Sequence, residues 1–176
     1  LRLVFDEHFP HGDLGLEGFP RLHRRDERAA VLLEDDGAAD QTDAAAADAV
    51  IVCDPLTDLY NPNLIRSSIG SVFTVPLVVC SSEECITFLK TNGIRILTAQ
   101  LQDSRLYYDT DMTCGTALVM GTEATGLTHR WRVAADAHIR IPMLGQLDSL
   151  NVSVSAAILL FEAVRQRNAT AAPKSL

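Results

Sequence analysis

Two polar turns hold the residues best suited to chemistry. One is Gly121–Gly126, GTEATG, and the other is Gly145–Asn151, GQLDSLN. Gly121 and Gly126 frame a tight turn in which backbone can approach a ligand closely. Glu123 between them can hydrogen-bond loop backbone or orient a cationic partner. The second turn ends in Asp148-Ser149-Leu150-Asn151, directly before a long apolar run, where the N–H groups of a helix start point outward unpaired. Two readings of this cluster stay open: a cap on Ser149 or Asn151 for a core helix, and a ligand loop held rigid by that helix. Nucleophilic catalysis has little support, because Ser149 has no partner base nearby in sequence and His129 and His138 read as surface or strand residues. The five histidines show no metal-ligand spacing, so no metal is expected. Neither G-x-G-x-x-G nor G-x-x-x-x-G-K-[ST] occurs. What remains is a backbone-rich pocket with few titratable groups. Such a pocket suits a small neutral-to-cationic cofactor that carries its own activated group.

These turns need elements to hold them. Ile139–Arg167 runs from a short strand through the second turn into an unusually apolar helix. Val152, Val154, Ala156, Ala157, Leu159, Leu160, Phe161 and Val164 cover nearly every face of it, which predicts burial on most sides. Upstream, Ala29–Glu34 and Ala49–Cys53 read as buried strands, and Asp35–Asp48 has room for a short helix. Asp54–Tyr60 is a polar loop, after which Asn61-Pro62 starts a helix that closes at Gly70. Phe73–Cys80 is strand-like, with Pro76 at its start or on an irregular edge. Ser81-Ser82-Glu83-Glu84 fits a capping box, and the helix it opens ends at Asn92-Gly93. Ile94–Ala99, Ala117–Met120 and Ala137–Ile141 supply three more strands, and Thr128 is placed to cap a short helix through Trp131. This alternation predicts an α/β domain with a mostly parallel sheet and helices on both faces. In such sheets ligands sit beyond the carboxyl ends of the strands. Both polar turns follow strands in that way, so they point to one rim.

With 176 residues the chain can bury one substantial core. Hydrophobic residues make up 47% and charged residues 22%, values ordinary for a globular domain. The net charge of −8 argues against indiscriminate nucleic-acid binding, which rests on phosphate neutralisation. A local basic patch at Arg21, His23, Arg24, Arg25 and Arg28 leaves room for a specific one. The four cysteines, Cys53, Cys80, Cys85 and Cys114, contain no C-x-x-C and fall mostly in or beside apolar runs. They are expected as buried thiols in a reducing, cytoplasmic setting. The longest apolar stretch, about ten residues within Val152–Phe161, is too short to span a bilayer. Residues 1–28 are expected as an arm or the remnant of a preceding domain, since the chain opens on Leu1 and not on methionine. Residues 29–167 form the expected domain, and 168–176 a flexible tail.

Three stretches resemble the SpoU (TrmH) family of RNA ribose 2′-O-methyltransferases, a branch of the SPOUT superfamily. Asn61–Phe73 (NPNLIRSSIGSVF) is similar to the family's N-P-x-x-x-R-x-S-x-G-x-x-F segment, and Leu118–Leu127 (LVMGTEATGL) to its second motif. Ile141–Glu162 (IPMLGQLDSLNVSVSAAILLFE) matches its third motif almost word for word. The likeness runs from about Ala29 to Arg167, and the bacterial 23S rRNA guanosine 2′-O-methyltransferases are the branch most resembled.

The resemblance implies a C-terminal trefoil knot of the SPOUT type, which periodicity would never suggest because knots are nearly absent from proteins. It implies S-adenosylmethionine as cofactor, RNA (rRNA or tRNA) as substrate, and a homodimer without membrane attachment. By motif position Gly121, Ile141, Leu150, Met143 and Thr98 contact the cofactor, while Glu123, Ser149 and Asn151 line the reacting end. Arg66 belongs to the Asn61–Phe73 segment and reads as a positioning or RNA-phosphate residue. The implied chemistry is in-line transfer of a sulfonium methyl to a ribose 2′-oxygen, for which the protein supplies alignment and removal of the hydroxyl proton. The family credits that proton to an arginine in a first motif, N-x-G-x-x-x-R, yet residues 35–48 contain neither the asparagine nor any arginine. Two further readings therefore stand beside the enzyme. One is a knotted RNA-binding module that has lost catalysis, and the other is a doubly wound binder of some other small molecule.

Overall fold

The computed structural model describes residues 29–33, 44–54, 76–121, 126–146 and 148–170. Seven strands form one sheet: β1 Ala29–Leu33, β2 Ala49–Cys53, β3 Leu77–Cys80, β4 Arg95–Ala99, β5 Arg105–Leu106, β6 Thr116–Met120 and β7 Ala137–Arg140. Their order is β3-β2-β1-β6-β4-β7-β5, and every pairing is parallel. Helices α1 (Ser82–Thr91), α2 (His129–Ala134) and α3 (Val152–Thr170) complete the described elements, with a 3-10 turn at Tyr107–Asp109. Five strands fall where the sequence predicts them, to within a residue or two at their ends. The short β5 carries no apolar period and was not anticipated. Pro76 lies just ahead of β3, where its missing N–H is harmless and its carbonyl accepts a hydrogen bond from Val50 N at 2.9 Å. The predicted Asn61–Gly70 helix lies outside the described residues.

A parallel sheet covered on both faces should show continuous apolar strands, and β2 and β6 are buried at all five positions. Alternation splits them between two cores. Val50, Val52, Leu97, Leu118, Met120 and Ile139 meet Leu159, Leu160 and Ala163 of α3. Ile51, Ile96, Ala117 and Val119 meet Leu89 of α1 and Trp131 of α2 on the other face. Helices thus cover both faces, as predicted.

The α1 cap behaves as its sequence says. Ser81 Oγ accepts from Glu84 N, while the Glu84 carboxylate accepts from Ser81 N at 2.9 Å and from its hydroxyl at 2.6 Å. Those bonds hold the Glu84 carboxyl below the ordinary carboxylate value. Thr128 precedes α2, but its hydroxyl makes no cap bond, and the helix runs past Trp131 to Ala134. Trp131, fully buried, donates from Nε1 to Ser82 Oγ at 3.1 Å and so ties α2 to the start of α1.

Helix α3 departs from expectation in two respects. Ala156, Leu159, Leu160 and Ala163 are buried, but Val154 and Phe161 are 47% and 48% exposed, so an apolar stripe faces outward. The helix also continues to Thr170, three residues into the predicted tail. Its last turns clasp the segment before β6. Gln166 accepts from Met112 N at 2.8 Å and donates to Thr110 O at 3.0 Å, and Arg167 donates to the carbonyls of Met112 and Cys114, both at 3.1 Å. Glu162, a buried carboxylate on this helix, is held below its ordinary value chiefly by the two hydrogen bonds from Arg165, each 2.8 Å. No described helix is long and apolar enough to cross a membrane.

Candidate active site

A cavity of about 520 Å³ lies beyond the carboxyl ends of β4, β6 and β7, closed on its far side by the start of α3. That volume falls in the usual range for small-molecule sites. Met120, Ile139, Ile141, Met143, Leu150 and Leu159 give it an apolar wall, and Gln100, Gln102, Asp148, Ser149, Asn151 and Ser155 a polar one. The strands end together at this rim because they are parallel, which is why turns remote in sequence can share one space.

Gly121 closes one side. A Cβ there would lie 2.3 Å from Gly126 C and 2.4 Å from Leu127 N, closer than any side chain tolerates. Gly126 has φ +65°, the left-handed region that glycine enters without strain. The two ends of the turn therefore touch backbone to backbone, and Gly121, Gly126 and Leu127 all line the cavity.

The opposite side is the N-terminus of α3. Asn151 Oδ1 accepts from Ser153 N at 2.8 Å and from Ser153 Oγ at 2.6 Å, which makes Asn151 the cap. Ser149 is exposed and stands outside the helix, on the cavity rim. The two readings of this cluster are therefore compatible, because the capping residue is itself a cavity residue.

The structure brings together six of the residues singled out by sequence: Gly121, Ile141, Met143, Ser149, Leu150 and Asn151. Thr98 is not among them. Its side chain is fully buried and lies 2.5 Å from His138 Nδ1, on the sheet face turned away from the cavity. The reason is strand alternation: Ala99, one residue on, faces the cavity in its place. Glu123 and Arg66 lie outside the described residues.

Sequence reasoning missed the loop after β4 and two arginines. Gln100, Leu101 and Gln102 follow a strand end as the two glycine turns do, so the strand-end rule contained the signal. Gln100 Nε2 donates to Gln102 O at 2.9 Å, while its Oε1 is buried with no partner among the described residues. A buried acceptor left unpaired in a cavity is a place for a ligand's donor. Arg132 and Arg140 also reach the cavity, and Arg140 donates to Ser104 O.

Comparison with known proteins finds relatives in sequence and in fold. The SpoU rRNA Methylase family profile matches residues 38–161. A 23S rRNA uridine 2′-O-methyltransferase of Streptomyces viridochromogenes is 37% identical over 132 residues, covering 71% of this chain and 46% of that protein. The 23S rRNA guanosine 2′-O-methyltransferase RlmP of Bacillus subtilis is 34% identical over 119 residues, covering 68% of this chain and 48% of its own length. Among solved structures, an AdoMet-bound rRNA methyltransferase from Sinorhizobium meliloti superposes with a TM-score of 0.76 at 30% identity, over 82% of this chain and 58% of that one. The chain spans about half the length of the curated relatives it matches.

Proposed function

We propose, from the premise that this chain belongs to the SpoU rRNA Methylase family, that it transfers the methyl group of S-adenosylmethionine to a ribose 2′-oxygen in rRNA or tRNA. One observation carries the proposal: the turn at Gly121 and the turn at Asp148–Asn151 wall the same cavity at the carboxyl rim of a parallel sheet.

The residues present fit the cofactor. The apolar wall would accept the flat adenine, the Gly121 turn lets backbone approach closely, and Gln100 Oε1, buried with no partner among the described residues, would accept from an amino or hydroxyl group. When bound, S-adenosylmethionine supplies a methyl group on a sulfonium that is already a good leaving group. The chain's part is then alignment and proton removal, and a displacement of about 1 Å in such a site can lower rate on the order of 100-fold. Gly121, Ile141, Met143 and Leu150 hold the cofactor. Ser149 and Asn151 line the reacting end; by motif position Glu123 would join them, and Arg66 would position RNA phosphate. Asn151 is held in one orientation by its bonds to Ser153. A C-terminal trefoil knot through these loops and a homodimer belong to the same reading. The outward stripe of Val154 and Phe161 on α3 supports the dimer, since exposed apolar rows mark contact surfaces. The free thiols agree with a cytoplasmic setting.

The test is incubation with labelled cofactor and total RNA, followed by mapping of the modified nucleotide, alongside calorimetric titration with S-adenosylhomocysteine. Label on one ribose 2′-oxygen is expected. Binding of S-adenosylhomocysteine without transfer would favour the RNA-binding module, the reading motivated by the absence of asparagine and arginine from residues 35–48. No binding at millimolar ligand would remove the methyltransferase reading.

A further inference from the structure

Three cysteines that look scattered in the sequence meet in space. Cys53 ends β2, Cys80 ends β3 in direct register with it, and Cys85 lies in the opening turns of α1. Their sulfurs all lie within 4.8 Å of one another, and the three residues are 4%, 9% and 0% exposed. Buried cysteine alone is unremarkable, because a free thiol packs as a small apolar group. What packing does not require is that thiols from three separate elements point at one another. The group lies in the core under α1 and α2, and none of the three cysteines lines the cavity. It is therefore separate from the methyl-transfer site.

We infer that Cys53, Cys80 and Cys85 form a trigonal, all-sulfur site for a soft d10 cation, with Cu(I) as the physiological candidate. Three sulfurs bonded to such an ion at about 2.3 Å stand about 4 Å apart, so each must move inward by at most about 0.5 Å from the positions seen. Small side-chain rotations supply that. Metal binds the thiolate form of cysteine. The N-terminus of the ten-residue α1 adds its positive end to the same spot. The rim is rigid: Asp54 N donates to Cys80 O at 3.0 Å, and Asp54 Oδ2 accepts from Ser82 N at 3.2 Å and Ser82 Oγ at 2.6 Å.

The count of donors selects the ion. Structural zinc sites are almost always closed by four protein ligands, and the described residues place no fourth cysteine and no histidine in this buried group. The neighbouring carboxylate, Asp54, already serves Ser82. Three thiolates satisfy Cu(I), and soft sulfur donors favour it. Binding forms copper–sulfur bonds and releases the thiol protons to solvent, with no electron transferred.

The experiment uses the full chain, reduced and anaerobic. Cu(I) is titrated in competition with a chromophoric Cu(I) chelator, with a parallel Zn(II) titration against a zinc indicator. Wild type is expected to retain one equivalent of Cu(I), Cys80→Ser and Cys85→Ser to bind at least 100-fold more weakly, and Cys114→Ser to match wild type. X-ray absorption of the loaded wild type is expected to show three sulfur neighbours, and this readout does not depend on whether a serine variant folds. Failure of folded wild type to retain Cu(I), equal retention by the serine variants, tighter binding of Zn(II), or nitrogen or oxygen neighbours at the metal would each overturn the assignment.

Discussion

Replacing Gly121 with alanine places one methyl group where backbone already stands. The nearest atoms to the new Cβ are 2.3, 2.4 and 2.7 Å away, and all belong to the main chain of Gly126 and Leu127. Ordinary contact begins near 3.4 Å, so the opposing strand of the turn must retreat by 3.4 − 2.3 = 1.1 Å. Backbone cannot swing aside as a side-chain tip does. Leu127 is also buried in the core under α1 and α2, so the retreat drags a seated side chain with it. Overpacking of this kind costs about 1–3 kcal/mol. Because the moving backbone is cavity wall, the same displacement should weaken S-adenosylhomocysteine binding by roughly 5- to 150-fold. Calorimetric titration and thermal unfolding of Gly121→Ala measure the two effects. Gly145→Ala is the control, since a Cβ at Gly145 meets nothing within 4 Å. Wild-type affinity in Gly121→Ala, or an equal loss in Gly145→Ala, would refute the claim that this close approach shapes the site.

Asn151→Ala removes the α3 cap and should lower stability by about 1 kcal/mol, together with methyl transfer; Asn151→Asp keeps an acceptor for Ser153 and should restore the stability in a denaturant titration. Leu160→Ala, at a side chain 1% exposed that does not line the cavity, should destabilise by ~2–5 kcal/mol with S-adenosylhomocysteine affinity preserved under native conditions. Glu162 has a lowered folded-state value, so its contribution is present above the unfolded glutamate value of about 4.3 and is lost as pH falls through the folded one. Melting temperatures followed from neutral pH down into that acid range should therefore drop more steeply in wild type than in Glu162→Gln. If the proposed dimer uses the exposed stripe of α3, sedimentation should find wild type dimeric and Phe161→Glu, which puts a charge on that stripe, monomeric; a monomeric wild type or an unchanged oligomeric state in the variant would refute that contact.

Strand positions were legible because a parallel sheet buried on both faces leaves continuous β-branched runs such as Ala49–Cys53, and turn residues bound them. The α1 cap was legible because a capping box is a local device, complete within Ser81–Glu84. Six residues singled out through two motifs that keep their spacing along the chain line one cavity. Thr98 was misplaced by one position. Motif likeness named the right strand end, but strand alternation decided that Ala99 and not Thr98 faces the cavity.

What the amino-acid order determined alone was therefore local: which segments extend, which coil, where a helix is capped, and which turns can admit a ligand's close approach. Folding decided everything that depends on side chains meeting from remote segments. Gln100 Oε1 is buried with no partner among the described residues only in the folded chain, Gly121 became irreplaceable only once Leu127 closed against it, and Cys53, Cys80 and Cys85 became neighbours only when two strands ended level beneath a helix. The physical reason is range. Propensity and capping act over a few residues, whereas a shared cavity or a sulfur cluster exists only after parallel pairing aligns strand ends that lie far apart in the chain.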